Sequence, residues 1–265
     1  MQLENMQIQG LIIDMDGVLW RGDEPIGDLP EIFRNLQRKH LKVVLATNNA
    51  TRSVYQYHAK LRGFGVEIED WQIINSPVAT ALYLKKLHHS GGPLYIIGES
   101  GLVTTLQEYG FFHTEKEVLA VVVGMDRTLT YAKLAKATLL IRSGAPFIGT
   151  NPDRTFPLPE GLVPGAGAIL AAIETAADTH PVIIGKPAPE MYQAALDRMG
   201  LEADHTLVVG DRLETDIAGA QRLGCRTALV LSGVTGQAEA ELWKPTPDWI
   251  GLDLTQLVRR LNAST

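Results

Sequence analysis

The chain has 265 residues, of which 45% are hydrophobic and 20% charged, and its formal net charge is −6 at pH 7. This size and composition are typical of a globular protein with a sizeable core, built as one large domain or two smaller ones. The acidic balance and the lack of a Lys/Arg block argue against a nucleic-acid surface, and the single Cys225 excludes an internal disulfide and a cysteine-rich zinc site.

The sequence carries no signal for a membrane or for export. No apolar run approaches the ~20 residues that a membrane-spanning helix needs. Glu4 and polar residues precede the first apolar run, which reaches Asp14 too soon for a signal peptide. We therefore expect a cytoplasmic protein that binds neither membranes nor nucleic acids.

Helical and strand patterns alternate along the chain, which predicts an α/β protein with a mainly parallel sheet. The first part predicts, in order, a buried strand at 11–13, a loop over 20–30, a short helix around 32–36, a buried strand over 42–46 and a helix over 51–62. A glycine-containing stretch at 63–65 ends that helix.

The central part predicts a further series of strands and helices. Strands are expected over 94–97, 120–123 and 146–148, and helices over 79–87, 101–108, 131–141 and 165–177. This block either extends the first sheet or forms an inserted α/β lid of about 100 residues, a size that can hold its own core.

The last part restarts the strand and helix alternation. Strands are expected over 181–184, 206–211 and 227–231, helices over 190–199 and 215–223, and an apolar segment with Trp249, Leu254, Leu257 and Leu261 closes the chain.

Polar side chains follow several of the predicted buried strands. They are Asp14 and Asp16, Thr47 and Asn48, Lys186, and Asp211 with Asp216 close behind. Because sites in parallel α/β sheets form outside the carboxyl ends of the strands, these residues can converge. Several acids beside one lysine suit a hard cation and a phosphate, and Mg²⁺ takes a few carboxylate oxygens together with a phosphate oxygen. No thiolate or histidine cluster competes for a softer metal.

Four stretches together resemble the motifs of the haloacid dehalogenase (HAD) superfamily. They are Asp14-Met15-Asp16-Gly17-Val18-Leu19, Thr47-Asn48-Asn49, Lys186 in Gly-Lys-Pro-Ala-Pro, and Gly210-Asp211-Arg212-Leu213-Glu214-Thr215-Asp216. A lone Asp-x-Asp is a weak signal, but four motifs in the right order across most of the chain are specific.

The extended motifs, which include Asp-Gly-Val-Leu-Trp-Arg-Gly, resemble the NagD/4-nitrophenylphosphatase-like subclass, where a large α/β cap lies between motifs two and three. The resemblance implies a Rossmann-like core over 1–78 and 181–265, and a specificity-setting cap over 79–180. The long separation of Asn49 and Lys186 favours this lid over a longer sheet. A homodimer formed through the cap is a family-level possibility.

The resemblance also implies a role for each motif residue. Asp14 would attack phosphorus and form an aspartyl-phosphate, and Asp16 would protonate the leaving oxygen and then activate water. Mg²⁺ would be held by Asp14, by the backbone carbonyl of Asp16 and by Asp211. The phosphoryl oxygens would be held by Thr47, Asn48, Asn49 and Lys186, and Asp216 would orient Lys186 or a metal-bound water.

Several of these residues also have an ordinary structural interpretation. Thr47, Asn49 or Thr51 can cap the following helix, and an acid such as Asp216 suits the first turn of a helix. Asp126 and Tyr131 lie in a stretch typical of the subclass cap, with structural and substrate-facing roles equally open. The 150–153 stretch is more simply a turn, and the 165–167 stretch is more simply close helix packing.

The implied activity is Mg²⁺-dependent hydrolysis of a small phosphorylated metabolite, with a sugar phosphate or nucleoside monophosphate preferred. Phosphoglycolate and pyridoxal phosphate are alternatives, and Phe156, which stands where similar pyridoxal-phosphate phosphatases carry a histidine, weakens the latter. A dehalogenase, a phosphomutase and a non-catalytic phosphometabolite-binding protein remain further alternatives. Asp16 and Asp211 disfavour a dehalogenase, and the short gap between motifs one and two disfavours a phosphomutase. The intact set of motif residues disfavours a non-catalytic protein.

Overall fold

The computed structural model describes residues 7–158 and 160–262, so the polar segment around Glu4 lies outside the described residues. The helices are α1 (Leu29–Arg38), α2 (Val54–Gly63), α3 (Ser76–Leu87), α4 (Ser100–Glu108), α5 (Tyr131–Arg142), α6 (Ala166–Ala177), α7 (Pro189–Met199), α8 (Ala218–Leu223), α9 (Gln237–Leu242) and α10 (Leu254–Asn262). The strands are β1 (Gly10–Ile13), β2 (Trp20–Arg21), β3 (Glu24–Pro25), β4 (Lys42–Thr47), β5 (Ile73–Asn75), β6 (Gly92–Ile97), β7 (Phe111–His113), β8 (Ala120–Val123), β9 (Phe147–Gly149), β10 (Thr155–Leu158), β11 (Gly161–Pro164), β12 (Val182–Ile183), β13 (Thr206–Gly210), β14 (Arg226–Val230) and β15 (Trp249–Gly251).

Contacts between residues divide the chain into two compact units. The first comprises Met1–Thr47, Val54–Ile74 and Lys186–Thr265, and the second comprises Asn48–Ser53 and Asn75–Gly185. Both are built on sheets with parallel strand pairs, which confirms the predicted α/β class with a Rossmann-like core.

The sheet of the first unit has the strand order β15-β14-β13-β1-β4-β5. Its central strand β1 is fully buried and pairs in parallel with β13 and with β4. In this register Ile13 lies opposite Val209 on one side and opposite Leu45 on the other. The residues that follow these three positions therefore emerge together at the carboxyl edge of the sheet.

Helices α1 and α10 pack on this sheet through apolar stripes. In α1 the buried residues Leu29, Ile32 and Leu36 follow the helical period, and the Asp28 side chain caps the helix by accepting the Glu31 N–H at 2.9 Å. In α10 the buried Leu254 and Leu257 belong to the same core cluster.

The loop expected over 20–30 contains a short antiparallel hairpin. Strands β2 and β3 pair Trp20 with Pro25 and Arg21 with Glu24, and the turn between them includes Gly22 with a φ of +57°. The Gly and Pro content of this stretch predicted a loop. The hairpin within it was missed because two-residue strands leave no alternating pattern to detect.

The sheet of the second unit has the order β12-β9-β8-β6-β7, and its strand pairs are parallel. Its core combines the sheet with α5 and α6, with buried residues such as Ile97, Val121, Val123, Ile141 and Ile173. The unit therefore has a hydrophobic core of its own.

The strand before Lys186 belongs to this second sheet, which corrects an expectation. The resemblance placed 181–184 in the core over 1–78 and 181–265, but β12 pairs with β9, with Val182 opposite Ile148. A short apolar run shows that a strand forms without showing which sheet it joins, because partner choice depends on contacts distant in sequence.

Several further elements were not predicted, among them β5, β7, the β10–β11 hairpin, α9 and β15. The hairpin contains Pro157 and Pro164, and proline weakens a strand prediction.

Among the described helices, none combines the length and the apolar character that a membrane crossing requires. The cytoplasmic location stays a prediction.

Candidate active site

Asp14 lies directly after the buried strand β1. Its backbone N–H donates to the carbonyl oxygen of Val209 at 2.8 Å, which continues the β1–β13 ladder by one residue. Its side chain is almost buried. A carboxylate removed from water in this way needs a positive partner.

Lys186 supplies that partner. Its ammonium group donates to Oδ1 of Asp14, to Oδ1 of Asp216 at 2.6 Å and to the carbonyl oxygen of Ala46 at 3.1 Å. Three acceptors match the three ammonium hydrogens, so the buried cation is fully hydrogen-bonded. Lys186 thereby ties β1, β4 and the segment after β13 together within the first unit.

Asp216 has both carboxylate oxygens occupied. Oδ1 accepts from Lys186, and Oδ2 accepts from the backbone N–H of Arg212 at 3.1 Å. Its segment is anchored by Tyr192, whose hydroxyl donates to the carbonyl oxygens of Thr215 at 2.8 Å and of Asp216 at 3.1 Å. These contacts suit a residue that orients Lys186.

Asp211 differs from Asp216 because one of its oxygens is not used. Oδ2 accepts from the backbone N–H of Val234 at 2.8 Å, whereas the buried Oδ1 has no hydrogen-bond partner within residues 7–158 and 160–262. Two glycines enclose this carboxylate: a Cβ atom at Gly17 would lie 2.4 Å from Oδ2, and one at Gly233 would lie 1.8 Å from it. The backbone there leaves space only for hydrogen.

The side chains of Asp14, Asp211 and Asp216 each place one oxygen within 4.8 Å of the others. Such an all-oxygen set is compatible with a hard divalent cation. Oδ1 of Asp211, which has no hydrogen-bond partner in the described part of the chain, supports this fit, because a buried carboxylate oxygen is costly unless something binds it. The cluster includes the side chain of Asp216 rather than that of Asp16, so the predicted contribution of Asp16 rests on its backbone carbonyl.

Burial and neighbouring charges shift the pKa values of this group. Burial raises the pKa of Asp14 well above its usual value, and the nearby Asp216 and Asp211 add to the effect while Lys186 opposes it. Burial opposes the charged form of Lys186, but Asp14 and Asp216 outweigh it, so its pKa lies well above the usual value. Burial first, and then Asp216, raise the pKa of Asp211 to about 6. A cation would therefore relieve repulsion among three carboxylates.

Asp16 is exposed, in contrast to Asp14. Its Oδ1 accepts a hydrogen bond from the indole Nε1 of the buried Trp20 at 2.8 Å. The intervening turn is closed by the Gly17 N–H, which donates to the Trp20 carbonyl at 2.8 Å, and Gly17 has a φ of +89°. The sequence thus brings one buried and one accessible carboxylate to the end of the same strand.

The second predicted motif is divided between the two units. Thr47 is buried at the end of β4 in the first unit, whereas Asn48 and Asn49 belong to the second. Within that unit, Oδ1 of Asn49 accepts from the backbone N–H of Thr51 at 2.9 Å and from its hydroxyl at 2.7 Å. This contact closes a local turn ahead of α2, which begins at Val54. The helix-capping role considered from the sequence stays a prediction. The phosphate-binding roles of Thr47, Asn48 and Asn49 stay predictions.

Asn48 is held in the second unit by several polar contacts. Its Nδ2 donates to Oδ1 of Asp153 at 3.2 Å, and its carbonyl oxygen accepts from Asn151 at 2.8 Å and from Ser76 at 2.6 Å. The 150–153 stretch forms a turn in which Asn151 Oδ1 accepts the Asp153 N–H at 3.1 Å. The turn interpretation of this stretch therefore agrees with the structure.

The structure also shows the surroundings of the second-unit residues whose roles the sequence left open. Asp126 is buried, and its two oxygens accept from Lys133, from the Thr128 N–H and from the Thr128 hydroxyl at 2.7–2.8 Å. This arrangement favours a structural role, whereas the Tyr131 side chain is exposed. A Cβ atom at Gly167 would lie 2.3 Å from the Pro152 carbonyl oxygen, so this glycine serves close packing.

Sequence reasoning missed three contributors to the first-unit site: Trp20, Tyr192 and Gly233. Trp20 stands four residues after Asp16, on a pattern interpreted as loop and core. Tyr192 had only the helical apolar period of α7 to mark it, and Gly233 had no motif around it. Their roles depend on tertiary contacts with Asp16, with the carbonyl of Asp216 and with Asp211, which no local pattern records.

The fold and site define a class of protein: a parallel α/β enzyme core with buried carboxylates and a lysine at the carboxyl edge of the sheet. Sequence comparison then gives the family. Residues 11–112 match the haloacid dehalogenase-like hydrolase family, and residues 183–257 match a further HAD-hydrolase-like family. The chain belongs to the haloacid dehalogenase-like hydrolases, in their NagD-like group, as the motifs predicted.

Curated relatives align along most of the chain. The acid sugar phosphatase of Staphylococcus epidermidis is 34% identical over 96% of this chain and 98% of its own length. The dihydroxyacetone phosphatase of Corynebacterium glutamicum is 37% identical over 86% of this chain and 82% of its own.

Solved structures show the same fold. NagD from Escherichia coli K-12 superimposes with a TM-score of 0.88 at 32% identity, covering 95% of this chain and 98% of its own. The p-nitrophenyl phosphatase from Archaeoglobus fulgidus gives a TM-score of 0.90 at 32% identity, covering 96% and 99%.

Proposed function

We propose that the protein is a Mg²⁺-dependent phosphatase that hydrolyses small phosphate monoesters through an aspartyl-phosphate on Asp14. The observation that carries this proposal is the contact of Asp14 with Lys186 beside Asp211, whose buried Oδ1 has no partner among the described residues. This arrangement offers a nucleophile, a fixed positive charge and an unused metal ligand in one cluster. The phosphatase names of the relatives support it.

In the first step, a carboxylate oxygen of Asp14 forms a bond to phosphorus while the bond from phosphorus to the leaving oxygen breaks. Asp16 gives its proton to that oxygen, so the product leaves as an alcohol. Lys186 is fixed by Asp216 beside the nucleophile, where its charge stabilises the negative charge that spreads over the phosphoryl oxygens. Thr47 is proposed as a further donor to these oxygens.

In the second step, water hydrolyses the aspartyl-phosphate. Asp16, now ionised, takes a proton from the water as the water oxygen bonds to phosphorus. The bond between phosphorus and Asp14 breaks, which restores the carboxylate and releases phosphate. Asp16 regains its proton in the same step, so the cycle closes without another reactant.

The proposed metal is Mg²⁺, held by carboxylate oxygens of Asp14 and Asp211 and by the carbonyl oxygen of Asp16. When bound, the cation supplies charge that offsets the repulsion between the Asp14 carboxylate and an anionic phosphate. Asp216, whose oxygens are both occupied by donors, is proposed to orient Lys186 rather than to bind the metal directly.

For the substrate we propose a sugar phosphate or a related small phosphorylated metabolite. Two similar proteins carry names for activity on sugar and dihydroxyacetone phosphates. We further propose that the second unit contains the residues that select the leaving group. A nucleoside monophosphate is the second candidate, because it presents the same phosphate group on a sugar carbon.

The direct test measures phosphate release with Mg²⁺ from 4-nitrophenyl phosphate and from a panel of sugar phosphates, nucleoside monophosphates, phosphoglycolate and pyridoxal phosphate. We expect turnover with the wild type, and loss of turnover in Asp14→Asn and after chelation of the metal. Asp204→Asn, an exposed aspartate in the same unit, is the control and should keep full activity. If none of these phosphate esters were hydrolysed, the proposal would be contradicted, as it would be by full activity in Asp14→Asn.

A further inference from the structure

Trp20 makes a hydrogen bond that the proposed mechanism does not yet use. Its Nε1–H, the only side-chain donor of tryptophan, donates to Oδ1 of Asp16 at 2.8 Å. The indole is 1% exposed, whereas Asp16 is exposed. A rigid buried donor therefore holds an accessible carboxylate that would otherwise rotate between several conformations.

The indole itself is fixed from several directions. The Tyr57 ring stacks on it with centroids 6.4 Å apart, and the Phe64 ring lies 5.9 Å away in a tilted arrangement. The ammonium group of Lys60 lies 4.5 Å from the centre of the indole ring and donates to the Gly22 carbonyl at 2.5 Å. These contacts fix the direction of the Nε1–H bond.

We propose that Trp20 is a positioning residue for Asp16, an inference that rests on the acid/base role given to Asp16 above. With Oδ1 accepting from the indole, the proton to be transferred is carried by Oδ2. After the transfer, Oδ1 belongs to a carboxylate, and a hydrogen bond to an ionised acceptor is stronger than one to a neutral acid. Trp20 therefore aims the proton and stabilises the state in which Asp16 has lost it.

The size of the effect depends on the leaving group. An alkyl alcohol, as in a sugar phosphate, leaves poorly unless its oxygen is protonated, whereas 4-nitrophenolate is stable as an anion and needs little help. Loss of the indole donor should consequently slow hydrolysis of a sugar phosphate much more than that of 4-nitrophenyl phosphate. A general loosening of the structure would slow both alike.

The test compares Trp20→Phe, which keeps an aromatic ring and removes the donor, with Trp249→Phe as a matched control. Trp249 also packs against the first-unit core and takes no part in the site. In Trp20→Phe we expect the rate constant of the first turnover on a sugar phosphate such as dihydroxyacetone phosphate to fall roughly tenfold or more, the scale of one hydrogen bond to a charged group. For 4-nitrophenyl phosphate, the same rate constant should change less than threefold. Equal losses on both substrates, no loss on either, or the same pattern in Trp249→Phe would overturn the proposal.

A second measurement does not depend on activity or on the folding of Trp20→Phe. The Nε1–H resonance of Trp20, assigned by nuclear magnetic resonance with selective labelling at that residue, should shift and exchange faster in Asp16→Ala than in the wild type. Because Asp16 is exposed, this substitution leaves the core intact. An unchanged resonance would overturn the inference. If the wild type hydrolyses no phosphate ester while the resonance behaves as expected, the proposed function fails and the hydrogen bond stands.

Discussion

The ammonium nitrogen of Lys186 lies 2.6 Å from Oδ1 of Asp216, and the two side chains are 4% and 2% exposed. Lys186 also contacts Asp14, so one buried cation serves two buried carboxylates. Removing one member of a buried ion pair leaves the other charge uncompensated. The resulting loss of stability is larger than the net stability that the intact pair provides. The consequences should be visible in both stability and catalysis.

Asp216→Asn should lower both the stability and the catalytic rate of the protein. The neutral amide cannot match the charge of Lys186, and it supplies one acceptor where two donors now meet, from Lys186 and from the Arg212 backbone. We expect the free energy of unfolding to fall by roughly 1–3 kcal/mol, the range for losing a charged hydrogen-bond partner. We also expect kcat to fall at least tenfold because Lys186 is less well fixed. Chemical denaturation and steady-state kinetics measure these changes. Glu214→Gln, an exposed acid two residues earlier, should change neither, and a wild-type-like Asp216→Asn would refute the role.

Metal binding should weaken in mild acid. The pKa of Asp211 is raised to about 6 by burial and by the charge of Asp216, so protonation competes with the metal below this pH. Since a metal ligand must be ionised, the apparent Mg²⁺ affinity should fall at least about tenfold for each pH unit below that value, because the pKa of Asp14, the other carboxylate ligand, is raised as well. Calorimetric titration of Mg²⁺ at several pH values measures this slope. An affinity that is flat between about pH 5 and about pH 7 would contradict the assignment of Asp211 as a ligand.

Asp211→Asn should stabilise the metal-free protein while abolishing activity. The folded-state pKa of about 6 lies above the usual 3.8, so the folded state binds this proton more tightly and loses relative stability as the pH rises through that window. At neutral pH the ionised Asp211 therefore opposes folding. The amide oxygen can still accept from Val234, and the amide nitrogen replaces the unpartnered oxygen.

For this variant we expect the free energy of unfolding, measured near neutral pH with a chelator, to rise by about 1–3 kcal/mol. The gain should vanish in acid, where the wild-type carboxyl is protonated in both states. Asp204→Asn provides a surface control. A destabilised Asp211→Asn would show that Asp211 favours folding even without metal.

Asp126 should stabilise the second unit in a pH-dependent way. Burial opposes its ionised form, but hydrogen bonds from Lys133 and Thr128 outweigh this and lower its pKa. A lowered folded-state pKa contributes stability above the unfolded value of 3.8, and this contribution is lost as the pH falls through the folded value. Asp126→Asn should thus lower the free energy of unfolding by about 1–2 kcal/mol near neutral pH, with the difference from wild type shrinking in acid. Asp178→Asn, exposed in the same unit, is the comparison, and a pH-independent difference would argue against the charged contacts.

The sequence predicted most of the long elements because their patterns are strong. The buried run of β1, the valine-rich β8 and the amphipathic α1 were all found near their observed positions. Short elements such as β5, β7 and the two hairpins were missed because a few residues carry no measurable period. The strand before Lys186 was found, but it joins the second sheet although the resemblance placed it in the core, because pairing is decided by residues distant along the chain.

By itself, the sequence determined the family and predicted a set of reactive side chains, since motif order and residue type are written along the chain. Tertiary structure alone decided how those side chains differ. Asp14 and Asp16 are two residues apart, yet one is buried against Lys186 and the other is exposed and held by Trp20. The physical reason is that burial, charge and hydrogen-bond partners come from residues far away in sequence. Among the described residues, those surroundings also leave one oxygen of Asp211 without a hydrogen-bond partner, while Asp216, five residues later, has both oxygens occupied.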